Sequence, residues 1–529
     1  MSTETVYCLL PEIILAAVAT FIFIAGAVMG GRGIWSFVAA GGLLVAMFAL
    51  YRQYTGLHWP QADAAEPLLS IRVGGPLAID LLGQYVRWLV LIVGLLFVLI
   101  TASSSAHVQA PEYVGSLLVA ILGLMLVGTA NELVLLFVSL ELISIPTYVL
   151  LYLGRRDMAS QEAATKYFFL SILSSALMLY GFSFLYGATG STQLTAVRTA
   201  LEGTSATSSA LVFARLALVF IVAGLGFKLA AVPFHFYAPD VYQGTTNGNA
   251  GILAALPKIA AIVALVRIVV VAMPGLETYG WRLALIVALL TMTLGNVLAL
   301  WQDNVRRLLA YSSIAHGGYM LIGLAAAFAS VGSADIDDSA THVDGVAAAL
   351  FYLAVYVLAT TGAFAALAYL GRGEKQIDGV DELAGLGRTH PLAALSLATF
   401  MFSLAGIPPL AGFWGKFTLF SSALSVDAAG VDPSPMRLWF LGLAVVGVVN
   451  AAIAAAYYLR IVSVMYFRAP LARPRAQGGL GAGLAMLVCA VLIVLAGLLP
   501  DPLLRGANSA SESARAPAQQ AAPRLAARQ

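Results

Sequence analysis

Gly224-Leu-Gly-Phe-Lys228-Leu-Ala-Ala-Val-Pro233-Phe-His235 is the stretch that decides how this chain folds. It closes an apolar run, Ala210 to Val232, of the roughly 20 residues that a helix needs to cross a bilayer core of about 30 Å. Pro233 has no N–H to offer the carbonyl of Leu229, so the helix is predicted to break beside Lys228. Unpaired backbone at membrane depth is tolerated only where protein buries it or water lines it. The stretch therefore predicts an all-α membrane protein with a hydrated cavity around an ionisable group. A lysine snorkelling to the surface from the end of its span is the plainer alternative.

Outward from there the same composition repeats. Of the 529 residues, 60% are hydrophobic and 10% charged, and the mean hydropathy is +0.91, far from the make-up of soluble domains. Apolar runs of spanning length occur fourteen times, from Leu9–Met29 through Leu133–Leu153, Thr165–Tyr186, Ala250–Met273 and Leu308–Phe328 to Leu480–Leu499. No basic region precedes the first run and no Ala-x-Ala-like site follows it, so Leu9–Met29 is read as a retained span. The tail after Pro500, rich in Ala, Ser, Gln and Arg, has few large apolar residues and is expected to be disordered.

The Lys/Arg content of short loops sets orientation. With the N-terminus outside, the inner loops hold Arg32, Arg155, Arg156, Arg306, Arg307, Arg372, Lys375, Arg388, Arg468, Arg473 and Arg475, eleven in all. The outer loops hold only five, Arg52, Arg72, Arg198, Arg282 and Arg437, and the loop carrying Asp335, Asp337, Asp338 and Asp344 is acidic. Both termini are then expected to face the periplasm.

Lysine marks the chemistry. The chain has five lysines, Lys166, Lys228, Lys258, Lys375 and Lys416, so 28 − 5 = 23 of its basic residues are arginine. Four of the five fall within or at the edge of predicted spans, where a charge costs about 2.5 to 3.5 kcal/mol on the insertion scale. Arginine keeps its proton in proteins, whereas a desolvated lysine can hold or release one near neutral pH. Lys258 directly follows Pro257 near the middle of the eighth run, too deep to snorkel. Lys416 lies in Gly406-Ile-Pro408-Pro409-Leu-Ala-Gly-Phe-Trp-Gly-Lys416, inside a run, Leu392–Leu424, too long for one straight helix. Pro233, Pro257, Pro408 and Pro409 are all read as helix breaks. Breaks at related positions in two halves of a transporter indicate inverted repeats with the ion path at the break.

Glu141 sits mid-span in the fifth run. A carboxylate there is stable in its charged form only beside a cation, so a Glu-Lys pair makes a switch: opening it leaves the lysine ready to pass its proton on. A structural ion pair locking two helices is the bland alternative. Lys166, near the cytoplasmic end of its span, is either an anchor or a relay, and His235 and His316 are either relays or hydrogen-bonded packing residues. Arg87, Arg215, Arg267 and Arg460, also in apolar runs, are expected to fix geometry.

Other classes are excluded. A net charge of +2 leaves no basic surface for nucleic acid. Cys8 and Cys489 stand alone at opposite ends, so no metal, iron-sulfur or disulfide site is expected. The glycines lie in apolar helices, and no P-loop or strand-borne GxGxxG provides a nucleotide site. Electron transfer must occur elsewhere, with no cofactor in this chain.

Pro233-Phe-His-Phe-Tyr-Ala-Pro-Asp-Val-Tyr-Gln-Gly244, Arg306-Arg-Leu-Leu-Ala-Tyr-Ser-Ser-Ile-Ala-His316-Gly-Gly-Tyr319 and the Gly406–Lys416 stretch resemble the signature stretches of subunit N of respiratory NADH-quinone oxidoreductase, complex I. That family belongs to the antiporter-like subunits shared with Mrp-type cation/proton antiporters and membrane-bound hydrogenases. The resemblance implies about fourteen transmembrane helices with two inverted five-helix repeats: three N-terminal helices in 1-112, the repeats in 113-273 and 274-470, a last helix in 471-500 and the tail in 501-529. It implies a translocase subunit in a bacterial inner membrane, with Glu141 and Lys228 as the intake pair, Lys258 as central relay and Lys416 on the second broken helix, leading to the periplasm. NADH oxidation and quinone reduction, with flavin and iron-sulfur clusters, would belong to partner subunits.

One stretch departs from that family. Thr245-Thr-Asn-Gly-Asn-Ala-Gly-Ile252 stands where subunit N proteins usually carry a Thr-Pro-Val-Thr-like sequence. An Mrp-type antiporter or membrane-bound hydrogenase subunit is the alternative. Those sisters tend to show Pro-Phe-His-x-Trp-Leu-Pro-x-Ala-His, and here the stretch ends Ala238-Pro-Asp-Val-Tyr-Gln.

Overall fold

A computed structural model describes residues 3–29, 33–56, 72–102, 110–155, 157–203, 208–273, 276–330, 344–372, 375–427, 434–470 and 475–526. Lipid offers backbone groups no hydrogen bonds, so apolar runs satisfy their own as helices. They are α1 (Leu10–Val28), α2 (Ile34–Gly56), α3 (Leu81–Ala102), α4 (Ala110–Thr129), α5 (Leu133–Gly154), α6 (Met158–Thr189), α7 (Ser208–Leu229), α8 (Ala238–Gly244) and α9 (Asn247–Val266). There follow α10 (Glu277–Leu300), α11 (Val305–Ser330), α12 (Gly345–Tyr369), α13 (Pro391–Ala405), α14 (Ala411–Leu424), α15 (Pro435–Phe467), α16 (Gly479–Leu498) and α17 (Asp501–Ala526). Thirteen of the described helices are long and apolar enough to cross a membrane. The pair α13 and α14 makes the remaining crossing, which matches the fourteen apolar runs.

Burial decides which helices form the centre. The most apolar windows of α9 and α12 are wholly buried and that of α11 is 94% buried, against 28% in α1 and α16. Lysine and histidine on the central helices are therefore shielded by protein, while the outer helices present faces such as Phe37, at 79% exposure, to lipid. The crossings α4 to α9 and α10 to α15 form two sets of five, each with its break in the fourth member. Five is odd, so the second set starts from the opposite face, which makes the repeats inverted.

Small strand pairings respect this alternation. Arg72–Gly74 pairs with Leu77–Ile79 on one face, and Leu370–Arg372 pairs with both Lys375–Gln376 and Arg475–Ala476 on the other. Arg32, Arg156, Arg473, Asp335, Asp337 and Asp338, used above for orientation, lie outside the described residues.

Two expectations are corrected. Pro257 does not break its helix: α9 runs continuously from Asn247 to Val266, every one of its residues buried, and gives way only afterwards to a π-helix, Arg267–Ala272. An interior proline costs about 3 kcal/mol, and complete burial of the segment offsets it. Nor is the tail disordered. It forms α17, whose Ala507, Ala510, Ser511 and Ala514 are buried. Ser513 accepts a hydrogen bond from the Leu81 N–H at 3.1 Å, and Arg515 pairs with Asp344, the N-cap of α12. Small residues let this helix approach its neighbours closely, which compensates for its lack of large apolar side chains.

Candidate functional site

The site is built on two broken helices that end alike. At the end of α7 the Ala231 N–H reaches back to the Gly226 carbonyl and the Ala230 N–H to that of Phe227, at 2.7 and 2.9 Å. This is a Schellman turn, with Ala230 at φ +58°. At the end of α13, Ile407 bonds to Phe402 and Gly406 to Ser403, each at 3.0 Å, with Gly406 at φ +89°. Such a turn leaves the carbonyl of the last helical residue open, and in both breaks a buried lysine fills it. Lys258 Nζ donates to Leu229 O at 2.7 Å, and Lys416 Nζ to Ala405 O at 2.9 Å. Each amine thus meets the negative end of a helix dipole, where a cation is favoured.

Lys258 is 1% exposed and Lys416 5%. Neither has a carboxylate partner among the described ion pairs. Lys258 Nζ lies 5.9 Å from the centre of the Tyr356 ring and Lys416 Nζ 5.0 Å from that of Tyr319. Gly317 leaves room for the first of these arrangements, since a Cβ there would stand 3.1 Å from Leu229 O and 3.4 Å from Lys258 Nζ.

Between the two lysines lies His316, fully enclosed. Its Nδ1 bonds to the Tyr352 hydroxyl at 2.5 Å and its Nε2 to that of Tyr458 at 2.9 Å. Tyr458 is bonded in turn to Ser312, while Tyr319 accepts from Asn296 at 3.2 Å. The His316 ring centre is 5.0 Å from that of Tyr356 and 5.9 Å from that of Tyr319. The rings next to each lysine thus both flank the histidine.

The Glu141–Lys228 pair is corrected. No direct ion pair joins them among the described residues. Lys228 Nζ donates to Ser144 Oγ at 2.5 Å, and Glu141 accepts from Ser175. Ser144 lies one turn beyond Glu141 on α5, so each charge is held by its own serine where direct contact was expected. Lys228 directly precedes Leu229, whose carbonyl holds Lys258, so both lysines belong to the same helix end. The hydroxyls of Tyr148 and Ser171 lie beside this group, Tyr148 within reach of both Ser171 and Ser144.

Lys166 is not in that line. It is a surface residue, 41% exposed, paired with Glu162 at 2.7 Å and Asp240 at 3.0 Å. Arg307 holds the same aspartate at 2.7 Å. Burial pushes the Asp240 carboxyl up, and hydrogen bonds from Lys166 and Arg307 outweigh it and hold the group below its usual range. Glu162, Lys166 and Asp240 line a cleft of about 400 Å³ with Arg155, Arg306 and Asp378. His235 lies on the loop between α7 and α8, its Nδ1 buried without a partner. Pro233 and the Pro408–Pro409 pair fall in the breaks as expected.

Sequence reading missed Ser144, Ser175, Tyr352, Tyr356 and Tyr458, which carry the hydrogen bonds. Hydroxyls at helical spacing in apolar runs give no sign of which way they face, so only the fold identifies them.

Comparison with known proteins agrees with this architecture. Residues 130–431 match the family described as NADH:quinone oxidoreductase/Mrp antiporter, TM. The chain is 36% identical over 510 residues to NADH-quinone oxidoreductase subunit N of Methylobacterium nodulans, covering 95% of this chain and 97% of the relative. It is 34% identical over 508 residues to the subunit N of Rhodospirillum rubrum, covering 95% and 96%. A chain of respiratory complex I from Thermus thermophilus with bound aureothin superposes with a TM-score of 0.74 at 32% identity, covering 94% of this chain and 98% of that one. A chain of the Mrp complex from Dietzia has a TM-score of 0.78 at 20% identity, covering 98% of each chain, a likeness of fold alone. By sequence and architecture, the chain belongs to the NADH-quinone oxidoreductase subunit N family.

Proposed function

We propose that this chain is a proton-translocating membrane subunit of NADH-quinone oxidoreductase, carrying protons across a bacterial inner membrane while partner subunits pass electrons from NADH to quinone. The observation behind it is the set of enclosed amines and one imidazole, Lys228, Lys258, His316 and Lys416, each held by a carbonyl or a hydroxyl. Buried ionisable groups are expensive in a membrane and default to transport or relay roles. In this reading Glu141 and Lys228 take up the proton, Lys258 and His316 pass it on, and Lys416 releases it.

Lys258 and Lys416 alternate between ammonium, held on a helix-end carbonyl, and neutral amine after the proton has moved on. The hydroxyls of Tyr352, Tyr458 and Ser312 keep His316 supplied with partners on both ring nitrogens, so it can take a proton at one and lose one at the other. The arginine-rich face is the cytoplasmic one and both termini lie in the periplasm. Flavin and iron-sulfur clusters reside in the partners, and NADH and quinone reach this chain only through the complex.

Affinity purification of the tagged chain from its native membrane tests the reading. It is expected to bring down an NADH-oxidising assembly that acidifies the vesicle lumen on NADH addition. Cation/proton exchange by the isolated chain, without NADH and without such partners, would replace this reading with the Mrp-type one.

A further inference from the structure

We infer that Asn296 is a positioning residue for Lys416: it holds the Tyr319 hydroxyl so that the aromatic ring stays turned to the amine. This rests on the proton-translocating reading above. The centre of the Tyr319 ring lies 5.0 Å from Lys416 Nζ. An aromatic ring is negative on its face and positive at its edge, so it attracts a cation only when the face is presented, within about 6 Å. Whatever fixes the ring therefore fixes part of the electrostatics of the lysine.

Two sets of contacts fix it. The hydroxyl lies on the axis about which the ring turns, so holding the oxygen sets where the ring stands, and Asn296 Nδ2 holds it at 3.2 Å. Tyr352 and Phe420 meet the ring edge to face, each with centres 6.3 Å away and at 75° and 74°, which sets its plane. Phe420 has room to do so because α15 carries Gly447 at the contact, where a Cβ would stand 2.5 Å from the Phe420 ring.

The direction of the bond to Tyr319 is dictated from α15. The Val446 carbonyl can only accept, so Asn450 presents its Nδ2 there at 3.0 Å, and to Thr293 Oγ1 at 3.2 Å. Its Oδ1 is thereby turned to Asn296, whose Nδ2 donates to it at 3.2 Å. Asn296 gives its second amide hydrogen to Tyr319 and accepts from the Tyr457 hydroxyl at 3.0 Å through Oδ1. An amide nitrogen has two hydrogens and no acceptor, so Tyr319 must accept in this bond. Asn296 and Asn450 are 0% and 2% exposed, which keeps solvent from competing. α15 is otherwise an outer helix, its most apolar window 33% buried. Its polar edge continues from Tyr457 to Tyr458, with ring centres 4.4 Å apart, and Tyr458 bonds His316. One outer helix thus reaches Lys416 through Asn296 and Tyr319, and His316 through Tyr458.

The test uses the whole complex in sealed vesicles, with NADH-driven acidification normalised to the amount of assembled complex. Asn296→Leu removes the donor, and Tyr319→Phe keeps the ring while removing the acceptor. Each is expected to lower the pumping rate per complex several-fold. The double variant is expected to be no slower than the slower single one, since both changes break the same bond. If Asn296 only glues helices together, Asn296→Leu yields less assembled complex with an unchanged rate per complex, and that result overturns the inference. A double variant whose losses multiply also overturns it, because Asn296 would then act without Tyr319. If Asn296→Leu does not assemble, Asn296→Ser, too short to reach Tyr319, gives the same comparison. Lys416→Met separates the two ideas: unchanged pumping there removes Lys416 from the proton-translocating reading, whereas pumping lost there and kept in Asn296→Leu overturns the inference alone.

Discussion

The amine of Lys258 closes on the carbonyl of Leu229 at 2.7 Å, and Leu229 is the residue on which a membrane helix stops. Lys416 stands in the same relation to Ala405. One physical device thus occurs twice: a proline-rich break frees a carbonyl, and a lysine enclosed by protein occupies it. Holding an ammonium there requires that the backbone end in a defined turn, so the residues that shape the turn are as much part of the site as the lysines.

The two turns differ at the residue of positive φ, and the consequence is measurable. Gly406 is at φ +89° with its would-be Cβ 2.9 Å from Lys416 Cδ. Gly406→Ala is expected to destabilise the subunit by about 1 to 3 kcal/mol and to depress pumping by displacing Lys416. Ala230 occupies the matching place at φ +58°, a conformation that costs a side chain roughly 1 to 2 kcal/mol. Ala230→Gly is therefore expected to be neutral or stabilising by up to about 1 kcal/mol, with pumping intact. Thermal melts of the purified complex and vesicle acidification check both.

A buried ion pair holds the far end of the central helix. Arg267 makes a fork with Asp80, 2.7 Å on one arm, and donates also to Gly128 O. The two side chains are 3% and 2% exposed. Removing one partner strands the other charge, so Asp80→Ala or Arg267→Ala is expected to cost about 3 to 5 kcal/mol and to reduce the amount of assembled complex. Blue-native gels of solubilised membranes read this directly.

The surface cluster has a pH signature. Asp240 is held below its ordinary range by Lys166 and Arg307 in the folded protein. A depressed carboxyl contributes stability that is complete above its unfolded pKa, about 3.9, and is lost as pH falls through the lower folded value. The melting-temperature difference between wild type and Asp240→Asn is expected to stay constant from neutral pH down to that unfolded value and to shrink below it. The effect is small, since partly exposed pairs contribute about 1 kcal/mol or less.

Much of this was legible beforehand. Apolar run length gave the fourteen crossings, and Pro233 and Pro408–Pro409 located both breaks, because length and a missing N–H act locally. Lys258 and Lys416 stood out because lysine is scarce and expensive at that depth. Three things were not legible. Pro257 stays helical because tertiary packing overrides the local cost. The tail helix is held by contacts with Leu81 and Asp344, distant in sequence. Glu141 and Lys228 bond Ser175 and Ser144 instead of each other, because side-chain direction is set by how α5, α6 and α7 pack.

If the enclosed lysines carry the proton itself, as proposed, a charge that cannot be released must fail in their place. The most direct test is the number of protons moved per NADH oxidised by the purified, reconstituted complex bearing Lys258→Arg, compared with Lys258→Met and wild type. Arginine keeps a charge that can still reach the Leu229 carbonyl, yet it does not give up its proton. The prediction is a fall in that ratio for arginine as for methionine, with the complex assembled. A ratio equal to wild type in the arginine variant would mean that the site needs only a fixed positive charge and that Lys258 does not carry the proton.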